Sequence, residues 1–302
     1  MSAGRFAPSP SGDLHVGNLR TALLAWLFAR STGRRFLMRV EDLDRVRPGA
    51  EQQQLDDLRA LGLDWDGEIV RQSERQSMYA DAIDLLAAAG RVYPCFCTRR
   101  EIRDAPSAPH TPPGSYPGTC RDLTDAERST RSAERPAALR LRTDVDQWTI
   151  TDAVYGSFTG TVDDVVLRRN DGVPAYNLAV VVDDAAQGVD QVVRGDDLLT
   201  SAPRQAYLAT LLGHEPPTYA HVALALNASG QRLAKRDGAV TRTRLEARGV
   251  SVLALIADSL GLVGTTPAEL LSTFDPDRLP REPWTFIPPA QLSRRGARGS
   301  GG

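Results

Sequence analysis

The first forty residues carry the feature that most constrains the fold of this chain: a strand, a loop, a helix and a second strand in direct succession. The short apolar segment Arg5-Phe-Ala runs into a turn-rich loop over residues 8–13. Residues 19–28 then place apolar side chains on one face at helical spacing, and the mostly apolar residues 36–40 are typical of a strand. This order predicts a βαβ unit and therefore an α/β fold with a parallel sheet.

Composition argues against some classes of protein but does not identify a function. The net charge of −2 gives no overall nucleic-acid signature, so an RNA partner has to be held by local patches. No apolar stretch approaches the roughly 18 residues that a membrane span needs, and the polar, proline-broken N-terminus does not resemble a signal peptide. We therefore expect a cytoplasmic protein with no membrane contact, whose three cysteines are reduced thiols.

The loop between the first strand and the first helix is a candidate phosphate site. Ligands of open parallel sheets bind at the carboxyl ends of the strands, and this loop is the usual phosphate cradle. Gly12 and Gly17 would let a ligand approach the backbone, the helix N-terminus attracts anions, and His15 can donate to a phosphate oxygen. The alternative is that proline and glycine only shape a turn and that His15 is an exposed side chain.

Lys235 is the one lysine of the chain, against thirty-five arginines. It lies in a polar loop without helical or strand periodicity, where a compact, mobile ammonium group suits a phosphate contact. A histidine loop and a lysine loop that converge on one nucleotide would suit adenylyl transfer, because negative charge builds on the phosphate oxygens during the reaction. The alternative for Lys235 is a solvated loop charge.

Charged residues at the predicted strand ends indicate an amino-acid substrate. Arg5 and Arg194 fall where strands meet loops, and arginine there can bind a carboxylate in a bidentate manner. Glu41 ends the second strand and could bind an ammonium group. Together they would fit an amino acid with an additional carboxylate, whereas taken singly each also fits a surface ion pair. The aspartate pairs at 42/44, 183/184 and 196/197 show no metal-ligand spacing.

Three cysteines predict a metal site. Cys95 and Cys97, with Cys120 further along the chain, resemble three corners of a tetrahedral zinc site. His110 is the ordinary candidate for the fourth ligand and Tyr116 an unusual one. Three structural thiols without a metal remain the alternative.

Several motifs in order give the chain its family resemblance. The segments that carry it are Arg5-Phe-Ala-Pro-Ser-Pro-Ser-Gly-Asp-Leu-His15-Val-Gly-Asn18, Arg39-Val-Glu-Asp-Leu-Asp44, Tyr176-Asn-Leu-Ala, Val193-Arg-Gly-Asp-Asp-Leu-Leu and Leu233-Ala-Lys235-Arg. They closely resemble the class I glutamyl-tRNA synthetases, and most of all their shortened relatives that glutamylate queuosine in tRNA(Asp). Residues 15–18 are similar to the HIGH signature and residues 233–236 to the KMSKS-type loop. Asn18 and Ala234 depart from the generic signatures, and Ala234 removes one hydroxyl contact to phosphate.

The resemblance implies the ligands of each site. ATP, with Mg²⁺ on its phosphates, would contact His15, Gly17, Asn18 and Lys235, of which His15 and Lys235 would serve catalysis. L-Glutamate would contact Arg5, Ser9, Glu41, Tyr176 and Arg194. One structural zinc would be held by Cys95, Cys97, Tyr116 and Cys120, which moves the fourth ligand from His110 to Tyr116.

The resemblance also implies the domain organisation and the RNA partner. We expect a Rossmann-like catalytic domain over 1–94 and 170–240, a zinc-bearing insertion over 95–169, a small helical C-terminal part over 241–293 and a disordered tail over 294–302. Because few residues follow Lys235, we expect the shortened enzyme, which acts on tRNA(Asp) carrying queuosine, as a monomer. The rivals are an ordinary glutamyl-tRNA synthetase that charges a tRNA 3′ end, and a non-catalytic paralogue that binds tRNA or glutamate.

Overall fold

The computed structural model describes residues 2–104, 116–233, 237 and 240–288. Its strands are β1 (Ala3–Phe6), β2 (Arg35–Val40), β3 (Val70–Arg71), β4 (Val92–Cys95), β5 (Ala138–Leu141), β6 (Gln147–Asp152), β7 (Gly156–Thr161), β8 (Val166–Arg168), β9 (Val189–Gly195), β10 (Thr218–Val222), β11 (Ala225–Leu226) and β12 (Trp284–Thr285). Its α-helices are α1 (Val16–Ser31), α2 (Ala50–Ala60), α3 (Gln76–Ala88), α4 (Arg99–Asp104), α5 (Asp125–Glu134), α6 (Tyr176–Gln187), α7 (Ala202–Leu211), α8 (Arg242–Glu246), α9 (Val252–Ser259) and α10 (Pro267–Ser272).

The main sheet has the strand order β3-β2-β1-β9-β10-β6-β7. Neighbouring strands from β3 to β6 pair in parallel, and β7 pairs antiparallel to β6 at the edge. Strands β1 and β2 lie side by side with α1 as their connection, so the predicted βαβ unit and parallel sheet are confirmed. The carboxyl ends of β1, β2 and β9 therefore meet at the same edge of the sheet.

Helix α1 is the centre of the largest apolar core. It was predicted over residues 19–28 and begins three residues earlier, at Val16, because His15 caps it. Its residues from Ala22 to Ala29 are all buried, as expected for a helix that is covered on more than one side. The second cover comes from α9 and α10, whose Ile256 and Leu270 belong to the same core. The C-terminal helices thus pack directly on the helix that carries the first loop.

The segment 95–169 divides between two sheets. Strands β4, β5 and β8 form a separate antiparallel sheet. Strands β6 and β7, which also lie within the predicted insertion, extend the main sheet instead, through the pairing of Tyr219 with Asp152. This pairing joins residues far apart in sequence, and no local pattern indicates it.

Two further findings bear on the predictions. None of the helices in the described ranges is long and apolar enough to span a membrane. Lys235, Ala234, His110 and the predicted disordered tail at 294–302 lie outside the described residues.

Candidate active site

A wide cleft opens at the carboxyl edge of the main sheet. It is bounded by the first loop and α1 on one side and by the antiparallel β4-β5-β8 sheet on the other. Five of the predicted substrate-binding residues line it, namely Ser9, His15, Asn18, Glu41 and Tyr176. The structure therefore brings together side chains from three separate segments of the chain, as the rule for strand ends predicts.

The first loop is held in place by a buried amide. Gln54 on α2 donates from Nε2 to the carbonyl oxygens of Ser9, at 3.0 Å, and of Gly12, at 2.5 Å. Gly12 adopts a φ of 143°, which a residue with a side chain rarely adopts. The loop is thus a fixed surface on which a ligand can be placed.

His15 caps α1 in a reciprocal arrangement with Asn18. The His15 Nδ1 atom accepts from the backbone N–H of Asn18 at 3.2 Å, and Asn18 Oδ1 accepts from the backbone N–H of His15 at 3.2 Å. Because Nδ1 accepts, the proton of a neutral His15 ring lies on Nε2. The cap thereby fixes both the ring orientation and its tautomer at the positive end of a sixteen-residue helix.

Gly17 is required by packing as well as by any ligand. A Cβ atom at this position would lie 2.9 Å from the Cβ of Ala225 and 3.1 Å from the His15 ring. Glycine therefore lets the first turn of α1 approach β11 closely. The predicted role in ligand approach stays a prediction.

Both flanks of the Lys235 loop are anchored beside the start of α1. On one flank, the N–H of Leu233 donates to the carbonyl of Ala225 at 2.9 Å. On the other, Val240 accepts from the N–H of Val16 at 2.7 Å, and Thr241 forms a β-bridge with His15. The loop thus begins and ends next to the segment that contains the His15 cap. This supports the predicted convergence of the two loops, although Lys235 itself lies outside the described residues.

Arg5 and Arg194 lie beneath the cleft and do not line it. They are 5% and 6% exposed, and each donates from Nε to a buried acceptor. Arg5 donates to Asp184 Oδ1 at 3.1 Å, and Arg194 donates to His221 Nε2 at 3.0 Å. Burial alone would raise the pKa of the Asp184 carboxyl, but Arg5 and Arg39 outweigh it and hold that pKa below its ordinary value.

Glu41 and Tyr176 provide the remaining predicted contacts to an amino acid. The Glu41 side chain is 11% exposed and lies 3.6 Å from Arg39 Nη2. Burial raises the pKa of Glu41 even though Arg39 and Arg5 oppose the shift. Tyr176, at the start of α6, is 42% exposed, so it is an open wall of the cleft rather than a core residue.

A buried ion network supports these residues, and sequence reasoning missed it. Arg39 is fully buried and donates to Asp184 and to Gln187, each at 2.8 Å. Asp183, adjacent on α6, accepts from Arg75 Nε at 2.6 Å and from the hydroxyl of Tyr79 at 2.9 Å. The aspartate pair that showed no metal spacing therefore holds arginines. One available signal was the spacing of Arg39 and Glu41, since residues two apart on a strand face the same side.

The three cysteines come together as predicted. Their Sγ atoms lie within 4.8 Å of one another, and Cys97 Sγ is 3.5 Å from Cys120 Sγ. The Tyr116 hydroxyl lies 3.3 Å from Cys95 Sγ and 3.9 Å from Cys97 Sγ. Within the described ranges, the three cysteines are the one group of three or more His, Cys, Asp or Glu side chains that lie close enough to share one ion. Three thiols and a phenol oxygen fit the tetrahedral donor set of zinc.

Positive groups surround the cluster. Arg131 donates to Cys120 Sγ at 3.6 Å, and the Arg140 guanidinium lies 3.7 Å from the centre of the Tyr116 ring. Burial and the neighbouring Cys95 raise the pKa of the Cys97 thiol to about 12. Burial also raises the pKa of the Tyr116 phenol. A divalent cation would supply the charge that four deprotonated ligands need.

Comparisons with known proteins agree on one family. The model of tRNA synthetases class I (E and Q), catalytic domain, matches residues 3–285. The glutamyl-Q tRNA(Asp) synthetase of Nocardia farcinica is 69% identical over 286 residues, which are 93% of this chain and 92% of that protein. The protein of the same name from Cutibacterium acnes is 56% identical over 86% of this chain and 76% of its own length. A solved glutamate tRNA ligase from Elizabethkingia meningosepticum superposes with a TM-score of 0.80 at 27% identity, over 95% of this chain and 67% of its own.

Proposed function

The chain belongs to the glutamyl-Q tRNA(Asp) synthetases, within the class I tRNA synthetases (E and Q), and we propose on this basis that it activates L-glutamate with ATP and transfers it to queuosine in the anticodon of tRNA(Asp). The family predicted from the motifs is thereby confirmed. The observation that carries the proposal is the 69% identity to a protein of that name, over 92% of its length. The cleft supports the proposal, because predicted residues from separate segments of the chain line its walls.

In the first step, the α-carboxylate of glutamate attacks the α-phosphorus of ATP. A carboxylate oxygen–phosphorus bond forms, the bond to the β-phosphate bridging oxygen breaks, and pyrophosphate leaves with that electron pair. We assign the His15 Nε2–H and the Lys235 ammonium as donors to the charge that develops on the phosphates, with the positive end of the α1 dipole as a further source of stabilisation. Mg²⁺ bound with ATP would add further neutralisation of the phosphate charge.

Glutamate would be bound by charges of both signs. Glu41 would accept from its ammonium group, and Arg5 and Arg194 would hold its carboxylates from beneath the cleft. Ser9 and Tyr176 would add contacts from the first loop and from α6. Because the arginines are already oriented by protein acceptors, these side chains lose little conformational entropy when glutamate binds.

In the second step, a hydroxyl of the queuosine cyclopentenediol attacks the carbonyl carbon of glutamyl-adenylate. A new ester bond forms, the acyl–phosphate bond breaks, and AMP leaves with the electron pair. No side chain has to act as a nucleophile, because positioning and charge stabilisation supply the catalysis.

We propose that one zinc ion has a structural role at Cys95, Cys97, Tyr116 and Cys120. It would tie β4 to the segment before α5 and so form part of the cleft wall, to which Cys95 and Cys97 contribute. Three thiols free of disulfides fit a reducing compartment, and we propose the cytoplasm. The monomeric state stays a prediction, which light scattering on the purified protein measures.

The direct test is transfer of radiolabelled glutamate. The protein should label tRNA(Asp) that carries queuosine, and should label neither tRNA(Glu) nor a tRNA(Asp) transcript without queuosine. Labelling of tRNA(Glu) alone would favour the ordinary synthetase. No glutamate-dependent ATP–pyrophosphate exchange would favour the non-catalytic paralogue.

A further inference from the structure

Arg194 is held by a histidine that the sequence did not single out. His221 on β10 is fully buried, and its Nε2 atom accepts from Arg194 Nε at 3.0 Å. The opposite ring nitrogen, Nδ1, lies 2.5 Å from Asp152 Oδ2. A three-membered chain of side chains, Asp152–His221–Arg194, therefore runs from β6 through β10 to β9.

The tautomer of His221 follows from its two partners. Arginine is protonated at all physiological pH values and donates, so the Nε2 atom that accepts from it carries no proton. The proton lies on Nδ1 and is donated to Asp152. Burial lowers the pKa of His221, and the Arg194 charge lowers it further, which outweighs Asp152 and favours the neutral ring.

Asp152 is itself held in one orientation. Its Oδ1 atom accepts from the backbone N–H groups of Val154 and Tyr155, each at 2.9 Å. Its Oδ2 atom accepts from the backbone N–H of His221, at 3.1 Å, as well as from the ring. Both carboxylate oxygens thus have fixed partners, and Asp152 therefore determines which nitrogen of the His221 ring carries the proton.

The remaining nitrogens of Arg194 are also directed. Nη1 donates to Gln205 Oε1 at 2.7 Å, and Gln205 in turn donates to Asn177 Oδ1 at 2.9 Å. Nη2 lies 3.3 Å from the carbonyl oxygen of Leu198. The acceptors of the Arg194 donors are therefore a ring nitrogen, an amide oxygen and a peptide oxygen, and none of them carries a charge.

This distinguishes Arg194 from Arg5. Arg5 pairs with the carboxylate of Asp184 at 3.1 Å, so part of its positive charge is already compensated. The imidazole between Arg194 and Asp152 supplies an acceptor and keeps the carboxylate one ring further away. Coulomb attraction falls with distance, so Arg194 is oriented while most of its charge stays available to a ligand.

We propose that His221, set by Asp152, is a positioning residue that orients Arg194 through a neutral acceptor and thereby determines how well the site binds a substrate carboxylate. The proposal rests on the proposed function, in which that carboxylate belongs to glutamate. His221 touches neither substrate; it acts through Arg194. A residue with this role should affect the KM for glutamate and leave the KM for ATP unchanged.

The kinetic test uses ATP–pyrophosphate exchange with His221→Leu, His221→Gln and Asp152→Asn. His221→Leu removes the acceptor and should raise the KM for glutamate on the order of tenfold to a hundredfold, the range found for groups that orient ligating side chains. His221→Gln can return an oxygen acceptor to Arg194 and should recover most of the affinity. Asp152→Asn should act like His221→Leu. The amide oxygen would keep accepting from the N–H groups of Val154 and Tyr155, so the amide NH₂ would face Nδ1 of His221. The ring proton would then move to Nε2, which could no longer accept from Arg194.

A matched control separates positioning from stability. Leu86→Ala, in the core between α3 and α6, destabilises the fold without contact to Arg194, and should leave the KM for glutamate unchanged. A His221→Leu variant with unchanged KM for glutamate would overturn the proposal. So would an equal rise in the KM values for glutamate and ATP.

A spectroscopic measurement tests the geometry without reference to activity. The chain has four histidines, so selective ¹⁵N-histidine labelling gives few signals, and His221→Gln assigns the one of interest. We expect a protonated Nδ1 and an unprotonated Nε2 in the wild type, with the reverse in Asp152→Asn. A proton on Nε2 in the wild type would overturn the proposal. Wild-type protein with the expected tautomer and no glutamate-dependent exchange would instead overturn the proposed function.

Discussion

The two ends of the cleft hold their charges in opposite ways. At the end where we propose that glutamate binds, called the glutamate end, Arg5 and Arg194 are buried and fixed by protein acceptors, and Arg39 behind them is fully buried. At the proposed nucleotide end are the positive end of the α1 dipole, the capped His15 and the loop with the one lysine of the chain. Fixed charge suits the selection of a small substrate, whereas donors beside the phosphates suit charge that appears only during the reaction.

Substitutions at the two ends should therefore differ in their effects on stability, substrate affinity and rate. Buried charges are part of the fold, so removal of one should lower stability and substrate affinity together. The described anchors of the loop between Leu233 and Val240 are backbone hydrogen bonds at its flanks and the hydrogen bond from Asn227 to Asp237, so a change at Lys235 should lower the rate without unfolding the protein.

The largest effect should come from Arg39→Gln, which removes the central cation of the glutamate end. Asp184 and Glu41 would then lie in a buried site with less opposing charge. We expect the free energy of unfolding to fall by about 3 kcal/mol or more, because breaking a buried ion pair leaves an uncompensated charge. Urea unfolding measures it, with the exposed pair member Arg59→Gln as the control, expected to change stability by less than about 1 kcal/mol. Equal losses in the two variants would contradict the buried role.

Lys235→Arg should give the next largest effect, at the nucleotide end. The guanidinium keeps the charge but is larger and planar, so it cannot follow the phosphates as a compact ammonium does. We expect kcat of ATP–pyrophosphate exchange to fall roughly a hundredfold, the scale for loss of one donor to a developing charge, with the unfolding midpoint unchanged. The matched control is Arg232→Lys, which makes the opposite exchange at the entrance of the same loop. Unchanged exchange in Lys235→Arg would remove the special role of this lysine.

Cys97→Ser tests the role of the proposed zinc site in the cleft wall, independently of the charges at the two ends. We expect about one zinc per chain in the wild type and none in the variant, by metal analysis of freshly purified protein. Loss of the ion should lower the melting temperature by about 3 °C, equivalent to roughly 2 kcal/mol for a chain of this size. Absence of zinc from the wild type would leave the cluster as three structural thiols.

The sequence predicted the parts of this arrangement that follow local patterns. The βαβ unit, the positions of Ser9, His15 and Glu41 at strand ends, and the cysteine cluster depend on spacing and on the rule that strand ends meet. The positioning of Arg194 could not be predicted, because His221 and Asp152 lie in separate strands and nothing in their local sequence marks them as partners. They meet only after β6 has joined the main sheet, which is a pairing that no neighbouring residue indicates. A histidine inside a short apolar strand was the one available signal, since a buried imidazole requires partners.

The smallest expected effect is the titration of Glu41, which should lower the affinity for glutamate as the pH falls. Burial raises the pKa of Glu41, so the protonated form becomes populated above the ordinary value of about 4.3. The proposed ammonium contact requires the ionised form. The KM for glutamate should therefore rise as the pH falls through this raised pKa, while the KM for ATP stays level.

Glu41→Gln identifies the group responsible for this acid dependence. Its KM for glutamate should be raised already at pH 7 and should lack the early rise in acid, because an amide does not titrate. Free glutamate titrates near the same ordinary value and affects both proteins equally, so the comparison isolates the protein carboxyl. An identical acid profile in both proteins would assign the rise to the substrate. The glutamate end would then hold its ligand by the arginines alone, and the two ends would differ in the burial of their cations and no longer in the sign of the charges that they use.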